Sequence, residues 1–108
     1  MSYVKVAKKS EIPAGSMKAV KLGDKDVLIV NAGGKYYAIG GKCTHRGGEL
    51  AKGKLEGTIV TCPKHKAQFD AITGKSVAKP KVPLSQPLKD EPVYKVKVEG
   101  EDILILQE

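Results

Sequence analysis

Cys43-Thr44-His45-Arg46-Gly47-Gly48-Glu49-Leu50 and Cys62-Pro63-Lys64-His65 are the stretches that decide how this chain is read. They spell C-x-H, a gap of sixteen residues, then C-x-x-H. Both cysteines and both histidines of the 108-residue chain lie in them. Two thiolates and two imidazoles make a four-ligand set, which suits either a zinc ion or a 2Fe–2S cluster with mixed ligands. Zinc sites more often pair cysteines as C-x-x-C, and a C-x-H half-site is less usual for them. A disulfide between Cys43 and Cys62 in a metal-free form would leave both histidines without a role. The ligand set alone keeps these alternatives open.

Working outward, Gly47 and Gly48 allow the backbone to turn closely around a bulky group. Pro63 fixes φ in the second motif and removes an amide donor beside Cys62. Gly53, Gly57, Phe69-Asp70 and Thr73-Gly74 extend the pattern. With these residues the chain resembles the Rieske ferredoxin family. The resemblance runs over roughly the whole sequence, including the N-terminal strands and the closing segment 93–106. It implies a Rieske-type 2Fe–2S cluster, with Cys43 and Cys62 on the buried iron and His45 and His65 on the outer iron. Thiolates stabilise ferric iron better than neutral imidazoles do. An added electron therefore favours the histidine side, and the potential lies above that of an all-cysteine cluster.

The resemblance also separates classes of Rieske protein. High-potential members in quinol-oxidising membrane complexes carry two further cysteines in the cluster loops; Gly48 and Lys64 stand there in this chain. Those members also place a serine and a tyrosine, both donors to cluster sulfurs, where this chain has Ala67 and Phe69. Losing two such hydrogen bonds, at about 1.5–3 kcal/mol each, is expected to lower the potential by roughly 100–250 mV. The expected value lies at the low end of the Rieske range, on the order of −150 to 0 mV. Lys66 departs from the glycine common after the last histidine. Imidazole ligands lose a second proton at high pH when the cluster is oxidised, so the potential should fall there.

The rest of the chain reads as strands. Short segments rich in β-branched and aromatic residues lie at 3–7, 18–22, 27–31, 35–39, 58–62, 68–70, 93–98 and 103–106. Gly23-Asp24, Gly33-Gly34 and Gly100-Glu101-Asp102 mark hairpins between them. Charged and apolar residues alternate in Lys95-Val96-Lys97-Val98, as on a half-buried strand. One helical turn is expected near 48–52. The fold class is all-β: a Rieske-like antiparallel β-sandwich or small barrel forming a single domain over 1–108, with a cluster-binding subdomain at 41–78 inserted in it. Segment 79–92, with Pro80, Pro83, Pro87 and Pro92, reads as a surface connection. By resemblance, Pro80 and Pro83 would partly cover the cluster. Alternation directs one of Tyr36 and Tyr37 inward and the other outward. Asp70 is expected to shape the turn toward Thr73-Gly74, and Glu49 to be a charge on the helical turn. Nothing resembles a nucleophile paired with a base, and the resemblance implies an electron-transfer protein and not an enzyme.

Composition sets the partners. The net charge is +7 and the isoelectric point about 9.4. Of 19 basic residues Arg46 is the only arginine, and the lysines are spread along the chain without interleaved aromatics, which argues against nucleic-acid binding. Apolar runs such as 27–30 and 103–106 have strand length, far short of a membrane span, and no leader pattern opens the sequence. The expectation is a monomeric cytoplasmic carrier. It would pass single electrons from a reductase to a terminal oxidoreductase, in one version as the ferredoxin of a multicomponent oxygenase. Lys42, Arg46, Lys64 and Lys66 would rim the docking edge and favour partners with an acidic face. The Lys-rich, Asn- and Gln-poor composition resembles that of thermophile proteins.

Overall fold

A computed structural model describes residues 2–42, 49–63, 67–78 and 90–107. Cys43, His45, Arg46, Lys64, His65 and Lys66, and the prolines at 80, 83 and 87, lie outside the described residues. Among the described residues, eleven strands make three antiparallel sheets. The first pairs β1 (Ser2–Lys8), β11 (Asp102–Gln107) and β10 (Val96–Glu99) in the order β1-β11-β10. The central one joins β2 (Met17–Leu22), β3 (Lys25–Ala32), β4 (Lys35–Gly40) and β9 (Val93–Tyr94) in that order. The third runs β5 (Lys54–Glu56), β6 (Ile59–Thr61), β7 (Gln68–Asp70) and β8 (Ser76–Ala78). The all-β class is therefore as expected.

All three glycine-marked hairpins form. Gly33 and Gly34 both have positive φ, 65° and 92°, and link β3 to β4 through a two-residue turn whose twist matches the flanking strands. The central sheet is covered on both faces, which explains the uninterrupted apolar run Val27-Leu28-Ile29-Val30 on β3. Alternate residues enter different cores. Val27 and Ile29 pack with Ala7, Ile12, Leu22, Ala38, Ile103 and Ile105 under the first sheet. Leu28, Val30 and Ile39 pack with Leu50, Val60, Cys62, Ala67, Phe69 and Ala71 under the third. A strand buried on both faces loses the alternation that marks a half-solvated one.

The same geometry corrects the reading of the tyrosine pair. Neither ring turns to solvent: Tyr36 packs on the first core and Tyr37 on the second, each half-buried. The Tyr36 hydroxyl donates to the Ile12 carbonyl at 3.1 Å. Other differences are local. Segment 93–98 divides into β9 and β10, which join different sheets, and Val98 is exposed despite its alternating pattern. Strands β5 and β8, three residues each, are too short to give a periodic signal. The helical turn is a 3-10 turn, Leu50–Lys52, and a second one, Lys9–Glu11, follows β1.

Candidate metal centre

Two chain crossings define the candidate site, each closed at its base by a backbone hydrogen bond. At the first motif the Leu50 amide donates to the Gly41 carbonyl at 3.1 Å, and Lys42 and Glu49 form an antiparallel bridge. At the second the Cys62 amide donates to the Ala67 carbonyl at 2.7 Å. Leu50, Cys62 and Ala67 belong to one buried cluster, so the two loop bases converge on a shared dry core. Of the four expected ligands only Cys62 is among the described residues; it follows β6 and is fully buried. Cysteine in apolar surroundings is poorly reactive as a nucleophile, while the same surroundings shield a metal–thiolate bond from water. The donor type and its setting therefore fit a metal centre.

Close backbone approaches hold these crossings. A Cβ on Gly53 would lie 1.8 Å from the Thr61 carbonyl oxygen, so the chain after the 3-10 turn can press on β6 only through glycine. Gly41 is close but less tight: a Cβ there would stand 3.2 Å from backbone atoms of Asp26 and Val27, and its amide donates to the Asp26 carbonyl at 2.9 Å. On the far side of β7, Asp70 builds the expected turn. Its carboxylate accepts the Ile72 amide at 2.8 Å and its carbonyl accepts the Gly74 amide at 2.7 Å. Ala67 and Phe69, the positions that lack hydroxyls, are fully buried beside Cys62.

Charge around the first loop is less open than the sequence suggests. Glu49 precedes the 3-10 turn and pairs with Lys52 at 2.8 Å and Lys42 at 3.5 Å. Hydrogen bonding and attraction from Lys52, then from Lys42, hold its carboxyl below the usual range, and Glu49 in turn raises Lys52. Lys42 is therefore a partly neutralised member of the expected basic rim. Sequence reasoning also passed over Glu91. It is 4% exposed, and its Oε2 has no hydrogen-bond partner among the described residues. The only hint in the sequence was a carboxylate placed directly before Pro92, where the extended backbone is constrained.

Comparison with known proteins agrees with this geometry. The model of the Rieske [2Fe-2S] domain matches residues 2–89. The ferredoxin component of naphthalene 1,2-dioxygenase/salicylate 5-hydroxylase systems from Ralstonia sp. is 31% identical, over 99% of this chain and 97% of its own length. The ferredoxin of carbazole 1,9a-dioxygenase from Nocardioides aromaticivorans IC177 superposes with a TM-score of 0.88 and 27% identity, covering 100% of both chains. A chain from a complex of reduced oxygenase and oxidized ferredoxin in carbazole 1,9a-dioxygenase matches with a TM-score of 0.83 and 25% identity, over 95% of this chain and 91% of that one. Three antiparallel sheets with two chain crossings that meet on one buried core are thus the build of a known group, and this chain belongs to the Rieske [2Fe-2S] domain family.

Proposed function

We propose that this chain is a one-electron carrier of low potential, in which Cys43, His45, Cys62 and His65 hold a Rieske 2Fe–2S cluster. The observation that carries the reading is the convergence of both ligand-loop bases on one buried core, through Leu50–Gly41 and Cys62–Ala67 hydrogen bonds. A bound cluster would supply a one-electron couple. The protein's residues would insulate and position it: Leu50, Val60, Ala67 and Phe69 are buried with Cys62 and would keep water from it, and Gly41 and Gly53 let the loop bases lie close against β3 and β6. Buried Ala67 and Phe69 offer no hydroxyl, which supports the low potential.

The relatives are named as ferredoxin components of aromatic dioxygenases, and this supports a reductase as donor and a terminal oxygenase as acceptor. The domain is taken as single over 1–108 with 41–78 as the cluster-binding part, acting as a cytoplasmic monomer. No helix among the described residues is long and apolar enough to cross a membrane. The net charge of +7 supports docking to acidic partners through Lys42, Arg46, Lys64 and Lys66. The test is to purify the protein without added metal, measure iron and acid-labile sulfide, and record an EPR spectrum after dithionite. Equal iron and sulfide with a rhombic signal of average g below the free-electron value is expected. Zinc without colour would replace the carrier reading with a structural-metal module.

A further inference from the structure

Glu91 lies in the seam between the central sheet and the third sheet. Its amide donates to the Gly74 carbonyl at 2.7 Å, and the Gly40 amide donates to the next residue's carbonyl, on Pro92, at 2.9 Å. This contact forces glycine at 74 and is tight at 40. A Cβ on Gly74 would stand 2.2 Å from the Glu91 carbonyl oxygen, and one on Gly40 would stand 3.1 Å from Glu91 Oε1 and 3.0 Å from the Pro92 ring. Gly40 ends the strand that runs three residues later into Cys43, and Gly74 closes the turn leaving the strand after the second motif. The carboxyl is therefore wedged where the supports of both ligand loops meet.

Among the described residues its surroundings offer no counter-charge. Glu91 makes no ion pair among the described residues, and Oε2 is buried without a hydrogen-bond partner there. The other charged groups described nearby are engaged or exposed. Asp90 accepts the Ser76 amide at 2.9 Å, Asp70 accepts the Ile72 amide at 2.8 Å, and Lys75 is exposed. On β4 the Tyr36 hydroxyl is bonded to the Lys9 and Ile12 carbonyls, Tyr37 packs on the second core, and Lys35 sits at the opposite end of the strand. Beyond residues 92–95, Asp24, Lys25 and Lys95 line an open cleft together with Tyr94. Tyr94 is the titratable group that responds to Glu91: its own burial, then the Glu91 charge, raise its hydroxyl.

We propose that Glu91 is a proton-binding site linked to the electron: it takes a proton from solvent when the cluster accepts an electron from its donor and returns it on oxidation. This rests on the cluster reading above. Burial lifts the carboxyl to about 7, so it stands half-protonated near neutral pH and is ready to respond. An added negative charge above the loop bases disfavours a second one on Glu91, and by linkage an ionised Glu91 disfavours reduction. The potential should then fall as pH rises through neutrality and level off, well below the pH range in which ligand imidazoles titrate.

The test is a redox titration of the holoprotein from pH 5 to 9, followed by visible circular dichroism, beside a reduced-minus-oxidised infrared spectrum at pH 7. The native protein should show a pH-dependent potential between about pH 6 and 8 and gain a protonated-carboxyl C=O band on reduction. Glu91→Gln should lose both and keep the high-pH fall. A native potential flat across that window, or no carboxyl band, overturns the proposal even if the variant does not load. An unchanged slope in Glu91→Gln also overturns it. Absence of iron and colour in the native protein would instead sink the cluster reading.

Discussion

Replacing Gly53 with alanine tests how β6, the strand before Cys62, is held. The added Cβ would sit 1.8 Å from the Thr61 carbonyl oxygen and 2.9 Å from its carbon. These are backbone atoms of the residue before Cys62, so no side chain can swing aside. The strands must open by more than about 1 Å, which breaks the Lys54–Thr61 pairing and the 3.0 Å bond from the Gly53 amide to the Leu50 carbonyl. Losing these at about 1 kcal/mol each, and disturbing the packed core beneath, adds to roughly 3–5 kcal/mol. Gly57→Ala is the control. Gly57 also serves the third sheet, and has φ +63°, but nothing lies within 4 Å of its Cβ position. Its cost is the left-handed backbone penalty alone, about 1–2 kcal/mol. The assay is iron per chain together with the midpoint temperature for loss of visible absorbance. At about 4–8 °C per kcal/mol for a domain near this size, Gly57→Ala should lose about 5–15 °C and keep its iron. Gly53→Ala should lose more than about 15 °C and load poorly. Equal midpoints and equal iron in the two variants would refute the contact argument.

Further outcomes follow from individual groups. Because burial raises Glu91 from 4.5 to about 7, the folded chain holds a proton that the unfolded chain has released between those values. Folding stability from this group is thus full below pH 4.5, falls as pH rises to 7 and is flat above; Glu91→Gln should remove that fall and be more stable at pH 8 by up to about 3 kcal/mol, measured by denaturant unfolding. Cys62→Ser should abolish cluster loading while retaining the β-sheet circular dichroism, and iron content equal to the native protein's would contradict its role as a ligand. Phe69→Tyr, if its hydroxyl reaches a cluster sulfur, should raise the potential by roughly 60–130 mV in a redox titration, from one charge-assisted hydrogen bond. Glu49→Gln frees Lys42 and Lys52 and should speed electron transfer to an acidic partner at low salt; stopped-flow rates should converge with the native protein's at high salt.

The residue pattern alone carried much of this protein. Two cysteines and two histidines at C-x-H and C-x-x-H spacing restrict the chemistry, because few cofactors take two thiolates and two imidazoles. Hairpin glycines at 23, 33–34 and 100 placed the main turns, since a positive φ is cheap only for glycine. Tertiary structure decided what depends on neighbours distant in sequence. Tyr37 and the run 27–30 could not be oriented from alternation, because both faces of the central sheet are covered. Strands β5 and β8 exist by pairing with β6 and β7 rather than by any pattern of their own. The requirement for glycine at 53 and 74 comes from backbones that meet only after folding. Glu91 is the clearest case: nothing in a carboxylate's sequence surroundings states whether water will reach it, and its burial between the Gly40 and Gly74 backbones exists only in the folded chain.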